Sequence, residues 1–416
     1  MENHIRGPAC LLVLSLLTAP AQAQTAANAL LGSDVQGLIA VGRALSPALR
    51  AAALDSEAAA ARARGAGALD DPTLSDNYQT YNDGGLFSAH TVMLSQAFPL
   101  WGKRDLRRQA AQADVDAARG REQAARDELD EKIKVNFAQY DVLTRSIAVN
   151  HEVQDIAQRL RHAAEVRYAQ GGSDQASAIR AQGEETAAKL EAIRLEGERR
   201  AARARLNTLV ARPADAPLAD PRPAAPAKSA LPSTATLLDR ARASNPTLSS
   251  STAEIAAARK RSTLADKAWY PDITVGTGPV IQTNNRPTGF AATVGLNIPV
   301  PWGREASGQQ DAAATVGATE QRYDAALRDI EGTLGEAKAR LDAAEQTASL
   351  LRAESLPQAR ATLRTTLASY SQGRGDLGSA IDAERRIREI ELTLLRTELD
   401  EQVSRASIER LIGGAL

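Results

Sequence analysis

Leu129, Ile133, Phe137, Tyr140, Leu143 and Ile147 follow one another at steps of 4, 4, 3, 3 and 4 residues, and Val153, Ile156, Leu160 and Ala163 continue in steps of 3 and 4. Such spacing places the apolar side chains on one narrow helical stripe, as in a coiled-coil seam. An ordinary solvated helix bundle would show the same stripe. The helix predicted from Lys103 to Tyr168 would be about 100 Å long at the α-helical rise. Two shorter helices are predicted beside it, about 43 Å from Leu38 to Ala66 and about 57 Å from Asp174 to Ala211. Laid end to end they match the long one, so a long helix antiparallel to two stacked shorter ones is the expected geometry.

A different period separates these helices. Phe290, Ala292, Val294, Leu296 and Ile298 alternate with Ala291, Thr293, Gly295 and Asn297, which is the two-residue repeat of a strand. Asp272 to Ile281 is a second β-like run, joined to the first by the turn-rich loop 282–289. Earlier in the chain, His90 to Phe98 alternates less sharply and follows the loop 82–85 and the run Thr73 to Tyr81. Hairpins are therefore expected at about 73–98 and 272–299. Runs of this length with one apolar face fit transmembrane β-strands. A soluble, half-buried hairpin would alternate in the same way.

The whole order of elements occurs twice. Phe98-Pro-Leu-Trp-Gly-Lys103 is echoed by Ile298-Pro-Val-Pro-Trp-Gly-Arg304, and Ser46-Pro47 by Asn245-Pro246. Tyr168-Ala-Gln-Gly171 is echoed by Tyr370-Ser-Gln-Gly373, and Asp71-Pro72 by Tyr270-Pro271. The offset stays between 199 and 202 residues, which marks a tandem duplication. The first repeat spans 24–211 and the second 233–416. Residues 212–232 carry six prolines and read as an extended linker. Each repeat is expected to hold a helix of about thirty residues (roughly 39–66 and 234–268), a hairpin, a very long helix, a Tyr-x-x-Gly turn and a last helix.

Composition narrows the class. Aromatic residues make up only 3% of the chain, low for an enzyme core of this size. Fifty basic and fifty-one acidic residues nearly cancel, so no nucleic-acid partner is expected. Residues 1–23 read as a signal peptide, with an apolar run from Pro8 to Leu17 and the small-x-small triplet Ala21-Gln22-Ala23 before Gln24. Cys10, the only cysteine, lies at the start of that run rather than just after the cleavage point, so lipidation is not expected. After it, disulfides and thiol chemistry have no residue to work with.

Two hairpins supply four strands, and four strands cannot close a barrel in a bilayer, where open edges are excluded. Three chains would supply twelve. Twelve is a sensible barrel, so the count argues for a homotrimer if the hairpins enter a membrane.

The signal peptide, the duplicated unit, the Pro-x-Trp-Gly-basic exits and the Tyr-x-x-Gly turns together resemble the TolC family of outer-membrane factors, over essentially the whole mature chain. The resemblance implies a mainly α fold with a small β part. A coiled-coil barrel of long helices would form a periplasmic tunnel, continued by a trimeric, twelve-stranded transmembrane β-barrel. It also implies residence in the outer membrane of a Gram-negative bacterium, in contact with its lipid. The partners implied are a periplasmic adaptor (a membrane fusion protein) and an inner-membrane pump of the RND type. Trp101, Gly102, Lys103, Trp302, Gly303 and Arg304 would then be the strand-to-helix junctions, with the glycines permitting the turn and Lys103, Arg104 and Arg304 at the polar boundary. Tyr168, Gly171, Asp174, Tyr370, Gly373, Arg374 and Asp376 would form the periplasmic tip that meets the adaptor. TolC-like members carry an aspartate nine residues past the second glycine, lining the entrance, and Asp382 matches it. The match departs from TolC at Ser177 and Ser379, where TolC has aspartates, and at Arg374, which is one residue early. Pro357, inside the second long helix, should bend it near the tip.

Gln96-x-x-Pro99-x-Trp-Gly-Lys-Arg most resembles the heavy-metal branch of that family, the CzcC and CusC type. No metal-ligand cluster supports it: His90 stands alone, and His151 and His162 read as solvated helix surface. No cofactor site, nucleophile–base pair or Gly-rich phosphate loop is present, so no enzyme is expected. Drug efflux and type I protein secretion remain open as cargoes. A periplasmic adaptor, a different class, should carry one hairpin flanked by lipoyl-like halves rather than two equivalent repeats. A purely structural coiled coil would not need strands.

Overall fold

The computed structural model describes residues 31–82, 86–222, 232–283 and 286–416. The expected signal peptide, its cleavage point before Gln24, positions 83–85 and 284–285 of the two loops, and positions 223–231 of the linker lie outside the described residues. Linker residues 212–222 are non-helical.

Each thirty-residue helix expected at the head of a repeat is two helices. In the first repeat α1 is Val35–Leu45 and α2 is Pro47–Gly65, bent by 48° at Ser46. The cause is Pro47, whose ring drives the preceding residue out of the helical region, and Ser46 sits at ψ 120°. Asn245 does the same between α5, Thr234–Ser244, and α6, Pro246–Asp266. Its Oδ1 accepts the N–H groups of Thr247 and Leu248 at 2.9 and 3.1 Å, and its Nδ2 donates to the Leu411 carbonyl at 2.8 Å. One side chain thus caps a helix and ties it to the chain's last helix.

The long helix α3 runs from Lys103 to Ala169, 67 residues or about 100 Å. It packs against α2 and α4, Gln175–Leu209, and also reaches α6 and the last helix of the second repeat. Its counterpart is not continuous. Helix α7, Arg304–Leu350, passes through a π-helical turn, Leu351–Ser355, into α8, Leu356–Ser371. The path from Arg304 to Ser371 is one residue longer than α3, and the π turn takes up the extra residue. Pro357 lies just after it, where the missing N–H does least harm. The last helix, α9, is Leu377–Ile412.

The duplication persists in the core. Leu38 and Leu237 are fully buried, as are Ile133 and Leu334, and Leu206 and Ile408. Each pair holds the same place in the two repeats. The first three pack in one cluster with Leu49 and Val210, the second three in another with Leu248 and Ile412.

The strands β1 (Thr73–Asn82), β2 (Leu86–Phe98), β3 (Asp272–Gln282) and β4 (Gly289–Asn297) form one antiparallel sheet in that order. The β2–β3 ladder joins the repeats, and β1 and β4 are open edges. Directly opposed residues share a face. The register puts Leu74, Tyr78, Leu94, Phe98, Ile273, Val275, Phe290, Val294 and Leu296 on one face. Phe290 is 76% exposed and Val294 75%, so none of the described residues covers that face there. Asp76, Thr80, His90, Gln96 and Thr277 interrupt it with polar groups, and His90 Nδ1 lies 3.1 Å from Asp76 Oδ2. The opposite face holds Thr91, Met93, Ser95, Thr274, Gly276, Gly278, Thr293 and Asn297. A Cβ at Gly278 would fall 1.8 Å from the Val92 carbonyl oxygen, so only glycine allows β2 and β3 to approach there. A soluble hairpin buries its apolar face against its own chain; this sheet leaves it bare.

Candidate functional site: the strand-to-helix junctions and the tip

At the first junction the chain leaves β2 and enters α3 within four residues. Gly102 takes φ 75°, as the sequence predicts, but Trp101 also lies in the left-handed region at φ 61°. A bulky residue there costs energy unless its surroundings hold it. Here Nε1 of Trp101 donates to the Pro271 carbonyl at 2.8 Å, its ring lies 5.3 Å from that of Tyr270, and its own carbonyl accepts Lys267 Nζ at 2.6 Å. Lys103 was expected at the polar boundary and is instead buried. Its Nζ donates to the Tyr270 carbonyl at 2.7 Å and to Asp272 Oδ2 at 2.9 Å, while Asp272 Oδ1 accepts the Leu100 N–H at 3.0 Å. Arg104 is half outside this knot and donates twice to the Gly67 carbonyl.

The second junction is bare. Gly303 takes φ 96° with no atom near its missing side chain, Trp302 is 88% exposed, and Arg304 is exposed. Trp101, Trp269, Tyr270 and Trp302 all have exposed surface at the foot of the sheet, the position at which barrel strands meet the water interface.

At the far end, the two tip turns share a backbone and differ in their side chains. Gly171 and Gly373 take φ 71° and 77°, and each donates its N–H to the tyrosine three residues before it, at 3.0 and 3.1 Å. Asp174 and Asp376 are the N-caps of α4 and α9, accepting the N–H groups of Ser177 at 3.0 Å and Ser379 at 3.2 Å. The Ser177 hydroxyl adds a bond at 2.6 Å, which holds the Asp174 carboxyl below the usual carboxylate range. Tyr370 is buried, and burial pushes its phenol up, whereas Tyr168 is 48% exposed. Arg167 lies over the Tyr370 ring, and Gly375 cannot carry a side chain because its Cβ would stand 2.9 Å from the Tyr370 nitrogen. Arg374 is exposed.

Asp382 is exposed on α9 between buried Ile381 and Ala383, one turn before Arg385, which pairs with Glu184 of α4. Sequence reasoning missed Glu384, which is 3% exposed with Arg388 Nη1 3.7 Å from its Oε1; burial holds its carboxyl above the usual range. Its place in the inward heptad stripe of α9 was the available signal. Among the described residues no group of three or more His, Cys, Asp or Glu side chains is placed to hold a metal ion, and no single helix is long and apolar enough to cross a membrane.

The chain matches the outer membrane efflux protein family over residues 38–212 and 237–414. It is similar to the solved structure of CusC, described with its transmembrane channel formation, at 18% identity and a TM-score of 0.80, covering 92% of each chain. The outer membrane protein VceC of Vibrio cholerae gives 18% identity and 0.80, covering 92% of this chain and 96% of that one. The open-state outer membrane channel MtrE of Neisseria gonorrhoeae gives 21% and 0.70, covering 92% and 90%. No curated protein matches it. Both halves of the match fall on the two repeats that build the sheet and the long helices, and the chain belongs to the outer membrane efflux protein family, a channel protein of the outer membrane reaching into the periplasm and not an enzyme.

Proposed function

We propose that this chain is the outer-membrane duct of a tripartite efflux system and that heavy-metal cations are its cargo. Three copies close a twelve-stranded barrel. Their α3 and α7–α8 helices wall a tunnel into the periplasm, and the tips around Tyr168, Gly171, Tyr370 and Gly373 meet a periplasmic adaptor served by an RND-type inner-membrane pump. Asp382 lies at the entrance, three carboxylates to the trimer.

The observation that carries this reading is the sheet: an uncovered apolar face, a small and polar face behind it, two open edges, and helices of about 100 Å leading away from one end. The metal assignment is supported by the stretch from Gln96 to Arg104. The neighbours in fold do not choose a cargo, since CusC and VceC stand equally close. The test is co-purification from native membranes after mild cross-linking, together with growth of a deletion strain on metal salts. An RND pump and adaptor in the eluate with increased metal sensitivity supports the whole reading. A drug or protein exporter in the eluate, with unchanged metal tolerance, refutes the cargo.

A further inference from the structure

Two copies of one unit show which residues the fold requires and which it does not. At the first junction Arg64, on the last turn of α2, and Arg104 and Arg108, on the first two turns of α3, line one groove with Gly67, Ala68 and Asp105, about 460 Å³ in volume. Arg104 donates from Nε and Nη2 to the Gly67 carbonyl at 2.9 and 2.8 Å, which fixes its guanidinium along the groove. Asp105 is the only carboxylate of the lining among the described residues, and Arg108 and Gln109 both donate to it. Arg64 and Arg104 make no ion pair among the described residues. Gly102 gives α3 no side-chain cap, so the positive end of the helix dipole adds to the same field. At the second junction the equivalent positions are Thr263, Glu305 and Gln309. That junction makes the same left-handed glycine turn into a long helix without a single one of the three arginines. The fold does not need them.

The groove lies at the height and on the side where lipid headgroups stand. Trp101 and Tyr270 pack together at the foot of the sheet. Arg104 and Arg108 follow Trp101 by three and seven residues, a rise of about 4 to 10 Å along α3. A headgroup layer is roughly 5–8 Å deep. Asp105 and Asp114 face opposite ways, because nine residues are two and a half turns of helix. Asp114 belongs to a separate groove with Asp55, Arg62, Arg121 and Arg261. Toward α6, α3 presents Ala117 and Arg121; toward α2 it presents Val115 and Ala118. These two sets are less than half a turn apart around α3, and the arc between them holds Asp114. The helix layer therefore curves around the Asp114 groove, and the groove of Asp105 and Arg108 is on its convex side, outside the tube.

We propose that this outer groove holds the phosphate of an anionic phospholipid from the inner leaflet of the outer membrane, one to each chain. The inference rests on the barrel reading above and adds a lipid to it. A guanidinium grips a phosphodiester through two parallel charge-assisted bonds. Arg64 and Arg104 bring two cations without a carboxylate from neighbouring helices, and Arg108 brings a third whose carboxylate is shared with Gln109. A headgroup such as phosphatidylglycerol carries a negative charge with no cation of its own, so this cluster favours it over phosphatidylcholine, which brings an ammonium. Its acyl chains rise over the foot of the apolar face, where Leu74 and Phe98 are exposed.

The test reconstitutes the full chain into phosphatidylcholine vesicles holding a minor share of phosphatidylglycerol, releases it into mild detergent and weighs it by native mass spectrometry. Phosphatidylglycerol should stay bound at one per chain, well above its share of the bilayer. Arg64→Gln with Arg108→Gln leaves the bonds from Arg104 to Gly67 in place, and it should lower the affinity for phosphatidylglycerol about thirtyfold, at roughly fivefold per surface arginine. Arg62→Gln with Arg107→Gln removes the same charge from the Asp114 side of α2 and α3, and it should leave retention unchanged. Excess inorganic phosphate should fail to displace the lipid, whose chains hold it. Retention of the two lipids in proportion to their share of the bilayer, equal loss in the two variant pairs, or release by inorganic phosphate overturns the lipid site while the barrel stands. If the chain does not enter the vesicles at all, the barrel reading fails and the lipid site with it.

Discussion

The Arg167 guanidinium lies over the face of the Tyr370 ring, its Cζ 4.9 Å from the ring centroid, and joins the tip of the first repeat to that of the second. The same guanidinium points at the carbonyls of Tyr370 and Gly375 at 3.5 and 3.4 Å. Around it, Leu160, Ala164 and Ala181 of the first repeat pack with Leu377 and Ile381 of the second. Tyr168 holds the equivalent position in the first turn and packs against none of this. Tyr370→Ala should therefore loosen the tip by about 3 kcal/mol, the ordinary cost of emptying an aromatic site. Tyr168→Ala should cost within about 0.5 kcal/mol. Hydrogen exchange of the amides in 366–380 measures both; equal protection in the two variants contradicts the asymmetry.

Lys103→Met tests the first junction. It leaves the Asp272 carboxylate half-buried without its cation and the Tyr270 carbonyl without its donor. Removing one partner of such a pair costs about 3 kcal/mol or more. The loss should appear as a lower unfolding midpoint in detergent, and an unchanged midpoint would contradict the buried pairing of Lys103 with Asp272.

The π turn at Leu351–Ser355 is a one-residue insertion relative to α3. Deleting Ala353 should turn it into regular α-helix and leave Leu334 and Leu341 on one side and Leu363 on the other facing their present neighbours. Folded yield and unfolding midpoint should stay near those of the unmodified protein. Deleting Ala138 from α3, where no spare residue exists, should rotate the buried stripe by about 100° and prevent folding. Equal damage from the two deletions would contradict this account of the bulge.

Glu384 gives a pH dependence with a definite sign. Burial raises its carboxyl above the ordinary 4.5, with Glu184 adding to the shift and Arg388 and Arg385 opposing it. A raised value means that the folded chain binds this proton more tightly than the unfolded one. Its contribution is complete below 4.5 and is lost as pH rises through the folded value. Glu384→Gln keeps the shape and cannot ionise, so its stability relative to the unmodified protein should rise between acid and neutral pH. Denaturant midpoints at several pH values measure it, and a constant difference would show that the side chain titrates as if in water.

The fold was largely legible because it was written twice. The paired Trp-Gly and Tyr-x-x-Gly landmarks located the hairpins and the tips within a residue or two, and the apolar steps from Leu129 to Ile147 located the core stripe of α3. What failed was local or long-range. Ser46-Pro47 and Asn245-Pro246 carried the signal for a helix break, and the helical propensity of the flanking alanines concealed it. The offset grows from 201 residues at the tryptophans to 202 at the tip tyrosines, and that single residue is the π turn, visible beforehand only as arithmetic. Lys103 looked like an interfacial cation because its partner, Asp272, is 169 residues away. The inequality of Tyr168 and Tyr370 has no local signal at all, since it arises from which repeat packs over the other.

The central claim is that four strands per chain are completed to a closed barrel by two further copies. Native mass spectrometry of the protein extracted from outer membranes in a mild detergent tests it most directly. Closure predicts a single dominant species of three chains, stable to dilution, because every strand edge is then paired. A dominant monomer would leave the edges of β1 and β4 open in the bilayer and contradict the account, and so would any assembly of other than three chains.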